Sequence, residues 1–326
     1  MKLTRLLLAL LALACSAALI AACGDDEPES STTTPSTGSE ESAGKIKSNA
    51  DNSKVQLTIG SKNFTEQKVL GEIYAQGLAA AGYTVDKQLN LGDEKIALKA
   101  LETGEISAYP EYTGTALGSF FGVPSNEIPK DPQEAYEQAK ADFAKKKITA
   151  LPPTPFTSSN EVGLTKEKAD ELGVTKISDL EGKSQDLTLY GSPECRQRLD
   201  CLLGLEQVYG LKFKKFVPVD IALRHEVLKK GQADVSIVFT TDPQNKREGF
   251  VLLEDDKGMF PPYNSTLVMR NEVAEAGGAG LEEVVAMVNE GLTAEAMQEL
   301  NARVGLDKKT PEEVAGEYLS EEGLVQ

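Results

Sequence analysis

Hydrophobic and polar positions change their period repeatedly along this chain. Residues 55–60, Val-Gln-Leu-Thr-Ile-Gly, alternate and stop at glycine, the pattern of a half-buried strand. Asn63 and Glu66 stand at capping-box spacing, and Val69, Leu70, Ile73, Tyr74, Leu78 and Ala81 then recur at helical spacing until Gly82. Residues 83–91 predict a second strand, 93–102 a helix closed by Gly104, and 106–109 a short strand. Further on, 133–147, 199–209, 221–230, 281–291 and 294–304 read as helices, and 162–164, 187–189, 235–239 and 267–269 as strand cores. This alternation predicts an α/β fold with mixed, mostly parallel sheets flanked by helices. No repeat of fixed period is present. A length of 326 residues exceeds what one core usually fills, so two lobes are expected.

The first 54 residues follow none of these periods. Lys2 and Arg5 precede an uninterrupted run of apolar and small residues, 6–22, which predicts a signal peptide over 1–22. The run ends Leu19-Ile20-Ala21-Ala22-Cys23-Gly24, which resembles a bacterial lipobox, so Cys23 is the expected lipidation site and mature N-terminus. Residues 23–54 are rich in Ser, Thr, Pro, Gly and acid and nearly free of large apolar side chains. They predict a flexible acidic linker, because such a segment buries too little surface to offset its ordering. The expected location is therefore the extracytoplasmic face of the cell membrane, held by the lipid.

Composition narrows the chemistry. Basic side chains number 34 and acidic ones 51, a net charge of −17, which argues against nucleic acid as a partner. One histidine, His225, and four cysteines exclude zinc sites of the Cys/His kind and leave no spare histidine for a triad. His225 lies in a polar helical stretch and reads as solvated. No phosphate-binding, dinucleotide-binding, zincin or nucleophile-elbow motif is present, so no catalytic residue, metal or cofactor is assigned and the chain does not read as an enzyme. Cys195 and Cys201 remain after export; their spacing suits a small disulfide-closed loop, two free thiols being the other reading. The polar and aromatic stretches 60–65 and 109–115 fall at strand-to-helix junctions, where open α/β sheets bind ligands.

Those stretches, Gly60-Ser61-Lys62-Asn63-Phe64-Thr65 and Tyr109-Pro110-Glu111-Tyr112-Thr113-Gly114-Thr115, resemble the substrate-binding proteins of osmoprotectant ABC importers of the glycine betaine/choline/carnitine type. So do Ser192-Pro193-Glu194-Cys195, Tyr209-Gly210-Leu211 and Phe239-Thr240-Thr241-Asp242, and the likeness runs from residue 55 to 325. It implies a two-lobed clamshell of the type II periplasmic-binding-protein kind, with lobe I formed by 55–157 and 263–326 and lobe II by 158–262. It implies a monomer that delivers a small solute to ABC permease subunits. By position it gives the basic and hydroxyl roles to Lys62, Thr115 and Arg198, with Arg196 able to exchange with Arg198, and the aromatic cage to Tyr112 and Tyr263. The two other cage positions hold Asn160 and Phe239 where the family often has tyrosines; Tyr109 and Tyr190 stand in reserve. The expected ligand is a quaternary-ammonium zwitterion such as glycine betaine. Its carboxylate would lie on the Lys62–Arg198 pair and its ammonium on the rings, so a betaine is expected to bind better than choline.

Overall fold

Ten strands of the described residues divide between two five-stranded sheets. The structure, a computed structural model, describes residues 44–326. The signal segment, Cys23 and residues 23–43 of the expected linker lie outside the described residues. The rest of that linker is not a tether. Lys45 and Ile46 donate backbone N–H groups to Gly323 and Leu324 carbonyls, Ile46 is buried, and Ala50–Lys54 forms a 3-10 turn. One isoleucine and a C-terminal edge to bond with are enough to dock a stretch whose composition reads as mobile.

The first sheet contains β1 (Gln56–Gly60), β2 (Thr84–Gln88), β3 (Ala108–Tyr112), β4 (Ile148–Ala150) and β10 (Ser265–Arg270), in the order β2-β1-β3-β10-β4. The second contains β5 (Asn160–Leu164), β6 (Thr188–Gly191), β7 (Lys215–Pro218), β8 (Val235–Phe239) and β9 (Val251–Leu253), in the order β7-β6-β8-β5-β9. Three consecutive strands in each sheet pair in parallel, β1 with β2 and β3, and β6 with β7 and β8. The strand that enters from the other lobe, β10 or β5, is antiparallel to both its neighbours. The sheets are thus more antiparallel than the strand–helix alternation implies, because a crossing strand arrives from the opposite direction.

Helix Thr65–Ala80 lies on one face of the first sheet with the C-terminal helices Asn271–Glu290, Ala294–Gly305 and Pro311–Glu321, burying Leu70, Ile73, Val285 and Leu319. Helices Glu94–Thr103 and Pro132–Lys145 cover the other face over Leu101, Tyr109 and Phe143. The second sheet has its own core around Val162, Leu189, Leu205 and Val235. The two crossings run side by side: Thr157 bridges Asn264, Thr154 N–H bonds Ser265 O, and Tyr263 N–H bonds Thr157 Oγ1. Adjacent antiparallel crossings leave the carboxyl ends of β1, β3, β6 and β8 around a cleft between the sheets.

Several boundaries differ from the sequence expectation. The strand expected at 106–109 forms at Ala108–Tyr112, so Glu111 and Tyr112 are strand residues that pair with β10, not loop residues. The capping box is absent: helix Thr65–Ala80 begins after Phe64 without a side-chain cap, because Glu66 turns inward to Tyr112 and Asn301. His225 is buried, not solvated, with Nε2 2.9 Å from Asp242 Oδ2.

Candidate functional site

The chain leaves β1 at Gly60 and turns through Ser61-Lys62-Asn63 into helix Thr65–Ala80, which brings Lys62 and Phe64 to the head of the first sheet. The Lys62 ammonium is buried and paired with Glu111 Oε1. That oxygen also accepts the Tyr112 N–H at 2.7 Å, and Oε2 accepts the Tyr109 hydroxyl at 3.0 Å. Lys62 Nζ stands 4.5 Å from the centre of the Tyr112 ring, within cation–π range. The Tyr112 hydroxyl donates to Glu66 Oε1 at 2.7 Å, and Asn301 donates to Glu66 Oε2 at 2.9 Å. Burial, then the Glu66 charge, pushes that hydroxyl well above the ordinary phenol range and keeps it a donor. The turn Thr113–Thr115 follows β3 directly; a Cβ on Gly114 would stand 2.7 Å from Pro262 O, so glycine admits the Pro261-Pro262-Tyr263 crossing here.

The opposite wall comes from the second lobe. Cys195 and Cys201 are joined, and the loop they close presents Arg198 and Asp200. Arg198 Nε donates to Asp200 Oδ1 at 2.7 Å, and its Nη2 meets Asp200 Oδ2. Burial would push the Asp200 carboxyl up; the Arg198 guanidinium outweighs it and holds the group below the usual carboxylate range. Tyr263 donates its hydroxyl to Asp200 Oδ2 at 2.5 Å, and Asn160 Nδ2 donates to Asp200 O at 2.9 Å. Arg198 then reaches the first lobe, with Nη2 3.4 Å from Thr115 Oγ1 and Nη1 3.5 Å from Glu94 Oε1. Phe239 ends β8 opposite Asn160, and the Arg224 guanidinium covers its ring at 4.4 Å while bonding Asp242.

All seven sequence-selected residues, Lys62, Tyr112, Thr115, Asn160, Arg198, Phe239 and Tyr263, face this one cleft. Arg198 does so and Arg196 does not; Arg196 is exposed over Phe216. Tyr109 is buried behind Glu111, and Tyr190 packs beside Leu228 and Val238. Three residues that sequence reasoning missed also line the cleft: Phe64, Glu94 and Arg224. The Phe64 ring lies 6.3 Å from Tyr112 and 5.5 Å from Phe239, which links aromatic groups of both lobes. Its signal in the sequence is a phenylalanine immediately before a helix, where Ser, Thr, Asn or Asp would cap.

The electrostatics differ from the expected pair of free cations. Each lining cation has a buried carboxylate of its own: Glu111 for Lys62, Asp200 for Arg198 and Asp242 for Arg224. Glu94 and Glu194 line the cleft in addition. The geometry therefore offers ring faces and spare N–H donors, not unbalanced positive charge. Among the described residues no group of three or more His, Cys, Asp or Glu could hold a metal ion, and no helix is long and apolar enough to cross a membrane.

Comparison with known proteins agrees with this architecture. Residues 55–321 match the family described as the substrate binding domain of ABC-type glycine betaine transport system. The glycine-betaine-binding protein of Pseudomonas aeruginosa is 33% identical over 282 residues, 82% of this chain and 88% of that protein. The ergothioneine transport permease/ergothioneine binding protein of Helicobacter pylori is 29% identical, over 82% of this chain and 48% of its own length. A crystal structure of a glycine betaine/carnitine/choline ABC transporter superposes with a TM-score of 0.65 at 26% identity, covering 81% of this chain and 98% of that one. The chain belongs to the family of substrate-binding domains of ABC-type glycine betaine transport systems.

Proposed function

We propose that this chain is the extracytoplasmic solute receptor of an ABC importer and captures a quaternary-ammonium osmoprotectant, a class that includes glycine betaine, between its two lobes. The observation that carries this reading is the convergence of Phe64, Tyr112, Phe239 and Tyr263 from both lobes on one cleft. A tetra-alkylated nitrogen has no N–H to donate, so only ring faces and apolar enclosure select it. Lys62 stands 4.5 Å from the Tyr112 ring and 6.0 Å from the Phe64 ring, and Arg224 4.4 Å from Phe239, so among the described residues Tyr263 is the ring of the four with no protein cation over its face. Thr115, Asn160 and Arg198 border the polar end. The lobes are read as 55–157 with 263–326, and 158–262. Closure of one lobe on the other would bury the solute for delivery to the permease.

On the same reading residues 1–22 are an export signal, Cys23 carries the lipid that anchors a monomeric receptor, and the protein performs no catalysis. Intact-mass analysis of the membrane-extracted protein checks the anchor: an unmodified chain beginning elsewhere than Cys23 removes it. Isothermal calorimetry with glycine betaine, choline, carnitine and ergothioneine tests the receptor. Binding of at least one is expected, and Tyr263→Ala should weaken it about thirtyfold, the loss of one desolvated cation–π contact. A protein that binds none of the four but binds a solute without a quaternary nitrogen would sink the ligand class.

A further inference from the structure

Glu94 is the first residue of helix Glu94–Thr103, at the mouth of the cleft. An acidic residue there ordinarily serves the helix dipole from the surface. Glu94 instead is 3% exposed, and its Oε1 has no hydrogen-bond partner among the described residues. Arg198 Nη1 lies 3.5 Å away, an ion pair too long for a good hydrogen bond, because the Nε and Nη2 of the same guanidinium are drawn to the two oxygens of Asp200. Asp93, its neighbour, is occupied as the helix cap. A buried carboxylate oxygen held only by a long ion pair, with no hydrogen bond, is under-satisfied unless something supplies a donor. The same oxygen repels a ligand carboxylate that approaches Arg198, the placement expected for glycine betaine.

We infer that Glu94 is a specificity-determining residue: Oε1 accepts a hydrogen bond from an O–H or N–H on the solute. The solute is then a quaternary-ammonium compound that carries a donor near its cationic head, as an amino alcohol, a hydroxylated betaine or an azole-bearing betaine does. This rests on the quaternary-ammonium reading above and narrows it. A ligand whose only polar group is a carboxylate leaves Glu94 unsatisfied and is disfavoured.

Two matched pairs isolate the donor. Choline against its O-methyl ether changes the hydroxyl in a ligand without a carboxylate. Carnitine against γ-butyrobetaine changes the hydroxyl in a ligand with one. Calorimetry on the wild-type protein should show the hydroxylated member tighter in at least one pair by about tenfold or more, the size of a hydrogen bond to a charged acceptor. Glycine betaine should bind more weakly than that hydroxylated ligand. Glu94→Met, which keeps the volume and removes the acceptor, should bring the ratio near one, and Glu94→Gln should give an intermediate ratio. Tetramethylammonium, which has neither group, reports the loss of the Glu94 charge alone; it should bind both variants more weakly than wild type but measurably, which also shows that the variants are folded. Ratios near one in wild type, or ratios unchanged in Glu94→Met, overturn the role of Glu94 and leave the receptor reading standing. No heat with any of the quaternary ammonium compounds overturns both.

Discussion

The two walls of the cleft hold similar ion pairs by different means. On the first wall Lys62 and Glu111 sit at the ends of β1 and β3, and Glu111 is fixed by Tyr109, the Tyr112 N–H and its own strand. On the second, Arg198 and Asp200 belong to an irregular loop that no strand supports. A covalent link between Cys195 and Cys201 takes the place of the sheet. Gly204 lets that loop lie directly on helix Leu202–Val208: a Cβ there would stand 1.8 Å from Leu199 O. A sheet end positions a charge through many weak bonds shared with the core. A stapled loop positions it through one strong bond, and keeps the reach needed to touch Glu94 and Thr115 across the cleft.

This contrast can be broken first at the carboxylates. Glu111→Ala should destabilise the protein by about 3–5 kcal/mol, because it strands a buried ammonium that has no second carboxylate among the described residues. Asp200→Ala should lose clearly less, since Arg198 retains Glu94 at 3.5 Å. Urea denaturation of both variants decides, and equal losses would mean that the two walls do not differ in this respect.

The second sheet carries a pH lever. Burial, reinforced by Asp255, pushes the Glu161 carboxyl on β5 up to about 7. A carboxyl raised in the folded state contributes stability below its unfolded value of 4.5 and loses it as pH rises through 7. Glu161→Gln should therefore gain up to about 3 kcal/mol over wild type at pH 8 and nothing near pH 4. Thermal melts at the two pH values test this, and a gain that is the same at both would refute the assignment.

Replacing Cys195 and Cys201 together by serine should cost about 2 kcal/mol, the loop-closure value for so short a ring. Reduction of the wild type should reproduce that loss in a denaturant titration; no change on reduction would show that packing alone holds the loop. The smallest effect belongs to the first wall. Asp93 Oδ1 accepts the N–H groups of Lys95 and Ile96, so Asp93→Ala should remove about 1 kcal/mol of helix capping. A loss under a few tenths in the same titration would assign the helix start to packing.

Much of the first wall was legible in the sequence. Its residues follow strands that the two-residue period reveals, and Lys62, Tyr112 and Thr115 sit at the junctions where such sheets bind ligands. Arg198 and Tyr263 were found through resemblance, since no local period marks a stapled loop or a crossing. Phe64 passed as part of a capping box, Glu94 as an ordinary helix-start acid, and Arg224 as one charge in a polar helix. Each has a bland local reading, and its place in the cleft depends on residues distant in the chain.

The sequence by itself determined many of the elements and the junctions from which side chains could enter a cleft, because hydrophobic period and glycine stops are local properties of the chain. Only the tertiary structure decided what those side chains meet. Lys62 finds Glu111 across 49 residues, Tyr263 finds Asp200 across 63, and Asn301 finds Glu66 across 235. Pairing through space sets the charge of the site, and it turned an expected basic pair into neutralised ion pairs beside a Glu94 oxygen that accepts no hydrogen bond. Coulomb and hydrogen-bond energies depend on distance in space, which separation along the chain does not encode.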